Sequence, residues 1–269
     1  MFKRIVNITR IHKNAIEKIN DTILIETPVD LIVNENPLVN IVCLPKDLDY
    51  LGIGFLYSVG IINSYQDIKD IIVDEIENKI YIRLIKDIES DLNLLQENPV
   101  SRVIDTSCGI SSPWRNIIKN ALHNQYLSNQ KNDSFKISAE TISAAVLEMQ
   151  RKTPLFRETG GCHGAAIFDH EGTLIAVLED IGRHNALDKI IGYSLKKNLD
   201  MSHMFLTTTG RLTGDSVLKA IRANIPILAS LSAAIESGVR LAFSYGLTLI
   251  GFVRGKKMNI YSHSYRIQL

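Results

Sequence analysis

From residue 164 onward the chain alternates short apolar runs with longer stretches of helical period, and few folds are open to a chain patterned in that way. GAAIFD and TLIAVLED flank a turn at His170-Glu171-Gly172 and read as a hairpin. Then come a helix over 183–198, the strand MFLTTT, a helix over 214–223, the strand PILASL, a helix over 233–245 and the strand TLIGFV. A helix over 138–152, stopped by Pro154, precedes them. The pattern predicts an α/β domain with a mixed sheet, antiparallel at its start and mostly parallel after, flanked by helices. Ligands of such sheets bind in the turns beyond the carboxyl ends of the strands.

Three of those turns carry the residues of interest: LEDIGRHNALDK (178–189), TTTGRLTGDS (207–216) and GFVRGKK (251–257). Each joins a glycine, which lets backbone approach a ligand, to Arg or Lys, and the first two open helices whose free amides favour anions. The candidate contacts are Arg183, His184 and Asn185 in the first, Thr208, Thr209, Gly210 and Arg211 in the second, and Phe252, Val253, Arg254, Gly255, Lys256 and Lys257 in the third. Any one turn alone is better read as a capped helix start, with Asp180 or Thr213 as the cap and the arginines solvated. Three on one edge favour a site that grips phosphate. The string ETGGCHG adds Gly160, Gly161 and His163, with His163 a candidate contact or proton donor. Cys162 and His163 are neighbours in sequence and point apart on a strand, so they form no dyad, and Cys162 reads as a packing or turn residue.

The first half reads as a small α+β unit. It has a strand over 22–34, a turn at Glu35-Asn36-Pro37, the strand LVNIVCL, an apolar helix over 46–62 opened by Pro45 and Asp47, and a hairpin around Glu77-Asn78-Lys79. A loop crowded with Ser, Thr, Gly and Pro surrounds Cys108, a helix follows over 114–127, and the polar linker SNQKNDS marks a boundary between domains at 1–134 and 135–269. With 30 basic against 29 acidic residues the chain has no general field to attract nucleic acid or an anionic membrane. No run reaches the length of a membrane span, the N-terminus lacks a signal-peptide core, and three scattered cysteines make no disulfide framework. Together these predict a cytoplasmic address.

The strings TGGCHGAAIF, EDIGRHNALDKIIG, TGRLTGDSVLKA, IPILASLSA and LTLIGFVRG, with ETPVDLIVNENPL and GFLYSVGII before them, resemble the FdhD family, accessory sulfurtransferases of formate dehydrogenase. The likeness runs from about Glu26 to Tyr261. It implies a cytidine-deaminase-like C-terminal domain and a homodimer. It also implies transfer of persulfide sulfur from a cysteine desulfurase to the molybdenum bis-guanine-dinucleotide cofactor, before that cofactor enters formate dehydrogenase. GDP would mimic half of this ligand, whose phosphates and guanine edges suit the three turns. The family's working cysteine lies in Ser-Cys-Gly-x-Cys-Gly, and here the aligned stretch is Ser107-Cys108-Gly109-Ile110-Ser111-Ser112. Cys108 is thus the expected persulfide carrier, and Ser111 replaces the second cysteine. A non-catalytic chaperone that holds and delivers the cofactor is the alternative. A cysteine hydrolase has no nucleophile-elbow context. The zinc ligands of deaminases, His-x-Glu and Pro-Cys-x-x-Cys, are missing, so no metal site is expected. The apolar helix around Phe55, Leu56 and Tyr57 is the expected two-fold interface.

Overall fold

The computed structural model describes residues 2–13, 15–86, 103–104 and 135–269. Cys108 and its loop, the helix expected over 114–127 and the linker with its domain boundary lie outside the described residues. The first half opens with a hairpin that sequence reading did not anticipate: β1 (Lys3–His12) pairs along its whole length with β2 (Ala15–Leu24) as a separate two-stranded ribbon. A five-stranded sheet follows, in the order β5-β6-β3-β4-β7, from β3 (Thr27–Val33), β4 (Asn36–Cys43), β5 (Ile68–Asp74), β6 (Lys79–Leu84) and the short β7 (Val103–Ile104). The expected strand over 22–34 is therefore two strands. The β3–β4 turn falls on Asn34 and Glu35, both with positive φ (47° and 67°), so Pro37 lies inside β4.

The second half forms the mixed sheet that its pattern predicts. The order is β10-β9-β11-β12-β13-β14, from β9 (His163–Asp169), β10 (Leu174–Asp180), β11 (Met204–Thr208), β12 (Ile227–Ser230), β13 (Thr248–Arg254) and β14 (Lys257–Ser262). β9 is antiparallel to both neighbours and β11, β12 and β13 are parallel, so β10, β11, β12 and β13 all end on one edge. A small parallel pair, β8 (Ile137–Ser138) with β15 (Ile267–Gln268), ties the C-terminus to the start of this half. Successive strand residues point to opposite faces. Phe205, Ile227 and Ile250 pack with Ile142, Val146 and Met149 of helix α2 (Ala139–Arg151), while Leu206, Leu228 and Leu249 face the other way into the main core. Pro154 stops that helix and also starts the next, α3 (Pro154–Thr159), because proline suits a first helical turn.

The main core runs through both halves of the chain. Helix α1 (Leu48–Val59) is apolar nearly all round, as a helix buried on every side must be. It lies against α4 (Arg183–Lys196), with α5 (Gly214–Arg222) and α6 (Glu236–Tyr245) covering the same face of the second sheet. The crossing depends on two glycines: a Cβ on Gly54 would lie 1.8 Å from the Asp188 carbonyl oxygen, and one on Gly192 would lie 2.0 Å from that of Tyr50. Phe55, Leu56 and Tyr57 are 3%, 0% and 8% exposed. The face expected to serve as a two-fold interface is thus consumed inside the chain. No helix among the described residues is long and apolar enough to cross a membrane.

The crossing predicts a stability effect. Gly192→Ala should lower the unfolding free energy by about 3 kcal/mol or more, since neither backbone can yield without moving a helix. Urea denaturation measures this, and a loss under about 1 kcal/mol would show that the helices do not approach so closely.

Candidate functional site

The edge where β10, β11, β12 and β13 end gathers the expected turns into one surface. Gly210 lies so close to the first turn that a Cβ there would be 2.8 Å from Cβ of Arg183. The second and third turns meet through residues 231–235 after β12, a connection that sequence reading missed because it lacks glycine and cations. Leu212 N–H donates to Ala233 C=O (2.9 Å), Ile235 N–H to Leu212 C=O (3.0 Å) and Phe252 N–H to Ser232 C=O (3.0 Å). Gly160, at φ 64°, ends α3, and Gly160 and Gly161 are exposed where β9 begins on the same edge. His163 joins this string to the second turn through Nδ1 and Thr209 Oγ1, 3.1 Å apart.

Not every expected residue offers its side chain to this surface. Thr208 is buried, donating to Gly164 C=O (3.2 Å) and accepting from Gly210 N–H (3.1 Å), and Val253 is 1% exposed in the core. His184 is 7% exposed, with Nε2 3.2 Å from Thr213 Oγ1. Asn185 donates to Val42 C=O (2.9 Å) and to Asp180 Oδ1 (3.0 Å). Thr213 caps α5, accepting from Ser216 N–H, so the simple capping reading holds there. Asp180 is not the cap of α4, a place taken by Gly182. The third turn leads into a strand, not a helix: Arg254 pairs with Lys257 across a tight bend at Gly255, φ 57°. There Phe252 holds a positive φ of 52° beside a register shift, half-exposed, with the Arg254 guanidinium 5.8 Å from its ring centre. A bulky residue in that conformation is strained, as residues at ligand clamps often are.

The electrostatics of the edge are one-sided. Arg211, Arg254, Lys256 and Lys257 are exposed, Arg183 is half-buried, and the Arg183 Nε is a buried donor with no hydrogen-bond partner among the described residues. Burial and the neighbouring Arg211 charge depress the Arg183 pKa, with Asp215 acting in the opposite sense. Burial, then Arg183, push His163 below its usual range. His184 is pushed down to about 3, by burial first and then by Lys219, Arg183, His163 and Arg211, which makes it a neutral imidazole at physiological pH. Cations held together next to an unpaired buried donor describe a place for an anion, and backbone amides at the α4 N-terminus add to it, whereas at α5 the Gly214 and Ser216 amides are already taken by Ser237 Oγ and Thr213 Oγ1.

The two described cysteines are inert. Cys162 is 3% exposed, donates to Glu179 Oε1 (3.7 Å), and has its pKa raised to about 12 by burial and by Glu179. Burial and Asp180 raise the thiol of Cys43, fully buried at the end of β4, further still. Neither is a thiolate nucleophile at neutral pH. Among the described residues no group of three or more His, Cys, Asp or Glu side chains is placed to hold a metal ion.

A sequence model of the FdhD/NarQ family matches residues 24–268. The sulfur carrier protein FdhD of Bacillus subtilis is 33% identical, with 97% of this chain and 96% of the relative aligned. The protein of the same name from Sulfolobus acidocaldarius is 36% identical over 99% of both chains, and that of Wolinella succinogenes is 33% identical over 93% of this chain and 83% of its own. The crystal structure of a putative formate dehydrogenase accessory protein from Desulfotalea psychrophila superposes with a TM-score of 0.78 at 25% identity, covering both chains completely.

The buried histidine gives the fold an acid limit. An imidazole with a pKa near 6.5 when unfolded and about 3 when folded takes up its proton only in the unfolded chain over that interval. Its contribution is therefore fully present above pH 6.5 and is lost as the pH falls toward 3. Urea titrations at pH 7.5, 6.5, 5.5 and 4.5 should show stability falling by about 1 kcal/mol per unit below pH 6.5 from this group. His184→Gln should have a visibly shallower slope; an unchanged slope would mean that His184 is protonated in the fold.

Proposed function

The chain belongs to the FdhD/NarQ family, and on that premise we propose that it is a sulfur carrier in the maturation of formate dehydrogenase, with Cys108 bearing the sulfur as a persulfide. The observation that carries this reading is the cationic edge with the orphaned Arg183 Nε, which suits a ligand of several phosphates. The ligand proposed is the molybdenum bis-guanine-dinucleotide cofactor, which is here the substrate. Arg183, Arg211, Arg254, Lys256 and Lys257 would hold its phosphates, with His163, Thr209 and the backbone of Gly160, Gly161, Gly210 and Gly255 shaping the cradle and Phe252 offering an aromatic face to a base. In this reading the second half is a cytidine-deaminase-like domain, in keeping with its antiparallel opening followed by parallel strands.

The chemistry asks for one thiolate. The Cys108 thiolate attacks the terminal sulfur of a persulfide on the donor cysteine desulfurase, whose own cysteine leaves as thiolate. The acceptor then attacks the terminal sulfur on Cys108, the S–S bond breaks, and Cys108 departs as thiolate. The two electrons that turn the sulfane sulfur into a sulfide ligand come from the acceptor. No second thiol is needed, which accommodates Ser111. The inert state of Cys43 and Cys162 supports Cys108 as the carrier. In sequence three residues lie between Ile104 of β7 and Cys108, so their Cα atoms are at most about 14 Å apart. The protein is taken as a cytoplasmic homodimer, whose interface must lie elsewhere than on α1.

Incubation with a cysteine desulfurase and cysteine should add the mass of one sulfur, about 32 Da, to the protein and none to Cys108→Ala. Cys108→Ala should also fail to activate a client formate dehydrogenase, whereas Cys43→Ala and Cys162→Ala should activate it. A Cys108→Ala protein that still activates the client would make this a cofactor chaperone. By calorimetry GDP should bind more tightly than ADP, and Arg211→Ala should weaken GDP by about 1.5 to 3 kcal/mol. Equal or absent binding of both nucleotides would remove the guanine-dinucleotide ligand.

A further inference from the structure

The first turn does more than border the ligand edge. Three polar groups of the backbone at the end of β4 are taken by side chains of EDIGRHNALDK. Val42 C=O accepts from Asn185 Nδ2 (2.9 Å), Leu44 N–H donates to Asp180 Oδ2 (3.1 Å), and Leu44 C=O accepts from Lys189 Nζ (3.1 Å). The cluster is saturated. Both amide hydrogens of Asn185 are matched by acceptors, the second being Asp180 Oδ1 at 3.0 Å. The Lys189 ammonium, fully buried, reaches Leu44 C=O, Glu179 C=O (3.3 Å) and Asp180 Oδ2 (2.6 Å), one acceptor for each of its three hydrogens. Asp180 completes its set with Gly182 N–H (2.8 Å). None of these donors is left for a ligand.

The place of this lock in the topology gives it a consequence. β4 also carries β7, in parallel register with Asn40 opposite Val103 and Ile41 opposite Ile104. β7 therefore runs in the direction in which β4 runs toward Val42 and Leu44. The strand from which the Cys108 segment departs lies one strand spacing, about 4.8 Å, from the strand that the lock holds. On the other side the lock is continuous with Gly182 and Arg183, the start of the anion edge.

The geometry points to Asp180, Asn185 and Lys189 as positioning residues, which fix the β4/β7 pair against the ligand edge so that sulfur leaving Cys108 meets the cofactor in register. This rests on the sulfur-carrier reading above and adds to it a division of labour within one motif: Arg183 faces the ligand, while Asn185 and Lys189 align the two halves. A purely stabilising cluster would lower transfer only in proportion to unfolding. A ligand contact would lower affinity. An aligning cluster lowers transfer while loading and affinity stay.

The test uses the full chain carrying Asn185→Ala, with three readouts. Persulfide loading on Cys108 by mass spectrometry and GDP affinity by calorimetry are expected to stay within about twofold of the parent, while activation of the client formate dehydrogenase falls at least about tenfold, an effect of the size misplaced reacting groups produce. Hydrogen exchange should speed up at the Leu44 amide and not at the Thr209 amide, which is bonded to Gly164 within the second half. If Asn185→Ala does not fold, Asn185→Ser is measured in the same way. A drop in GDP affinity that accounts for the lost activation would make Asn185 a ligand contact and overturn the proposal. So would unchanged activation, or an unchanged Leu44 amide. Failure of the sulfur-carrier reading itself would appear in the parent protein, as absent loading or absent GDP binding, and the exchange measurement would still decide whether the lock exists.

Discussion

Two helices from different halves of the chain touch backbone to backbone, and the remainder of the molecule is arranged around that contact. Gly54 and Gly192 leave α1 and α4 no side chain between them, which places Ser58 within 2.6 Å of Asp188 and lets Lys219 of α5 close on the same carboxylate at 2.6 Å. Arg222, one turn further along α5, reaches back to the carbonyl oxygens of Tyr57 and Ile62, while the Tyr57 hydroxyl donates to Arg222 C=O. A charged pair is expensive to bury unless its partners are fixed beforehand. Here the close crossing does the fixing, and the N-termini of α4 and α5, which border the anion edge, inherit their positions from a helix in the first half.

That dependence explains how the edge tolerates its own repulsion. The Arg211 charge lowers the affinity of Arg183 for its proton, and Arg183 keeps a buried donor unpaired among the described residues. Such an arrangement costs free energy, which an anion bound as proposed would offset. The neutral His184 beneath, hydrogen-bonded to the Thr213 cap, adds polarity without a further charge. The edge is thus shaped in advance by elements whose stability comes from elsewhere.

Most of the second sheet was legible from the sequence because its central strands are buried on both faces and its helices carry clear period; the boundaries of the elements that were read moved by a few residues. β14 was missed because KMNIYS is an edge strand of mixed polarity, and the β1–β2 ribbon because its isoleucines are interspersed with Asn, Thr, Arg and Lys on both faces. The three turns were found through glycine and arginine, and the 231–235 connection between them was missed for want of either. Least visible was the fate of Asn185 and Lys189. A polar residue beside an arginine reads as a ligand contact, and only the fold shows that β4, some 140 residues earlier, takes their hydrogens. Pairings across such separations leave no periodic trace in a single chain.

The ribbon of β1 and β2 stands apart from both sheets, tied down near its base by the Lys3–Glu158 ion pair and by Phe2 and Leu24 beside α3. Along the rest of its length Ile5, Ile11 and Ile16 remain largely exposed, and the family match begins at residue 24, where the ribbon ends. Substitutions along this appendage therefore leave the interior untouched, as they cannot at Gly54 or Gly192 of the helical crossing. The chain combines a portion whose side chains meet mostly solvent with one held still by two hydrogen atoms where side chains would be.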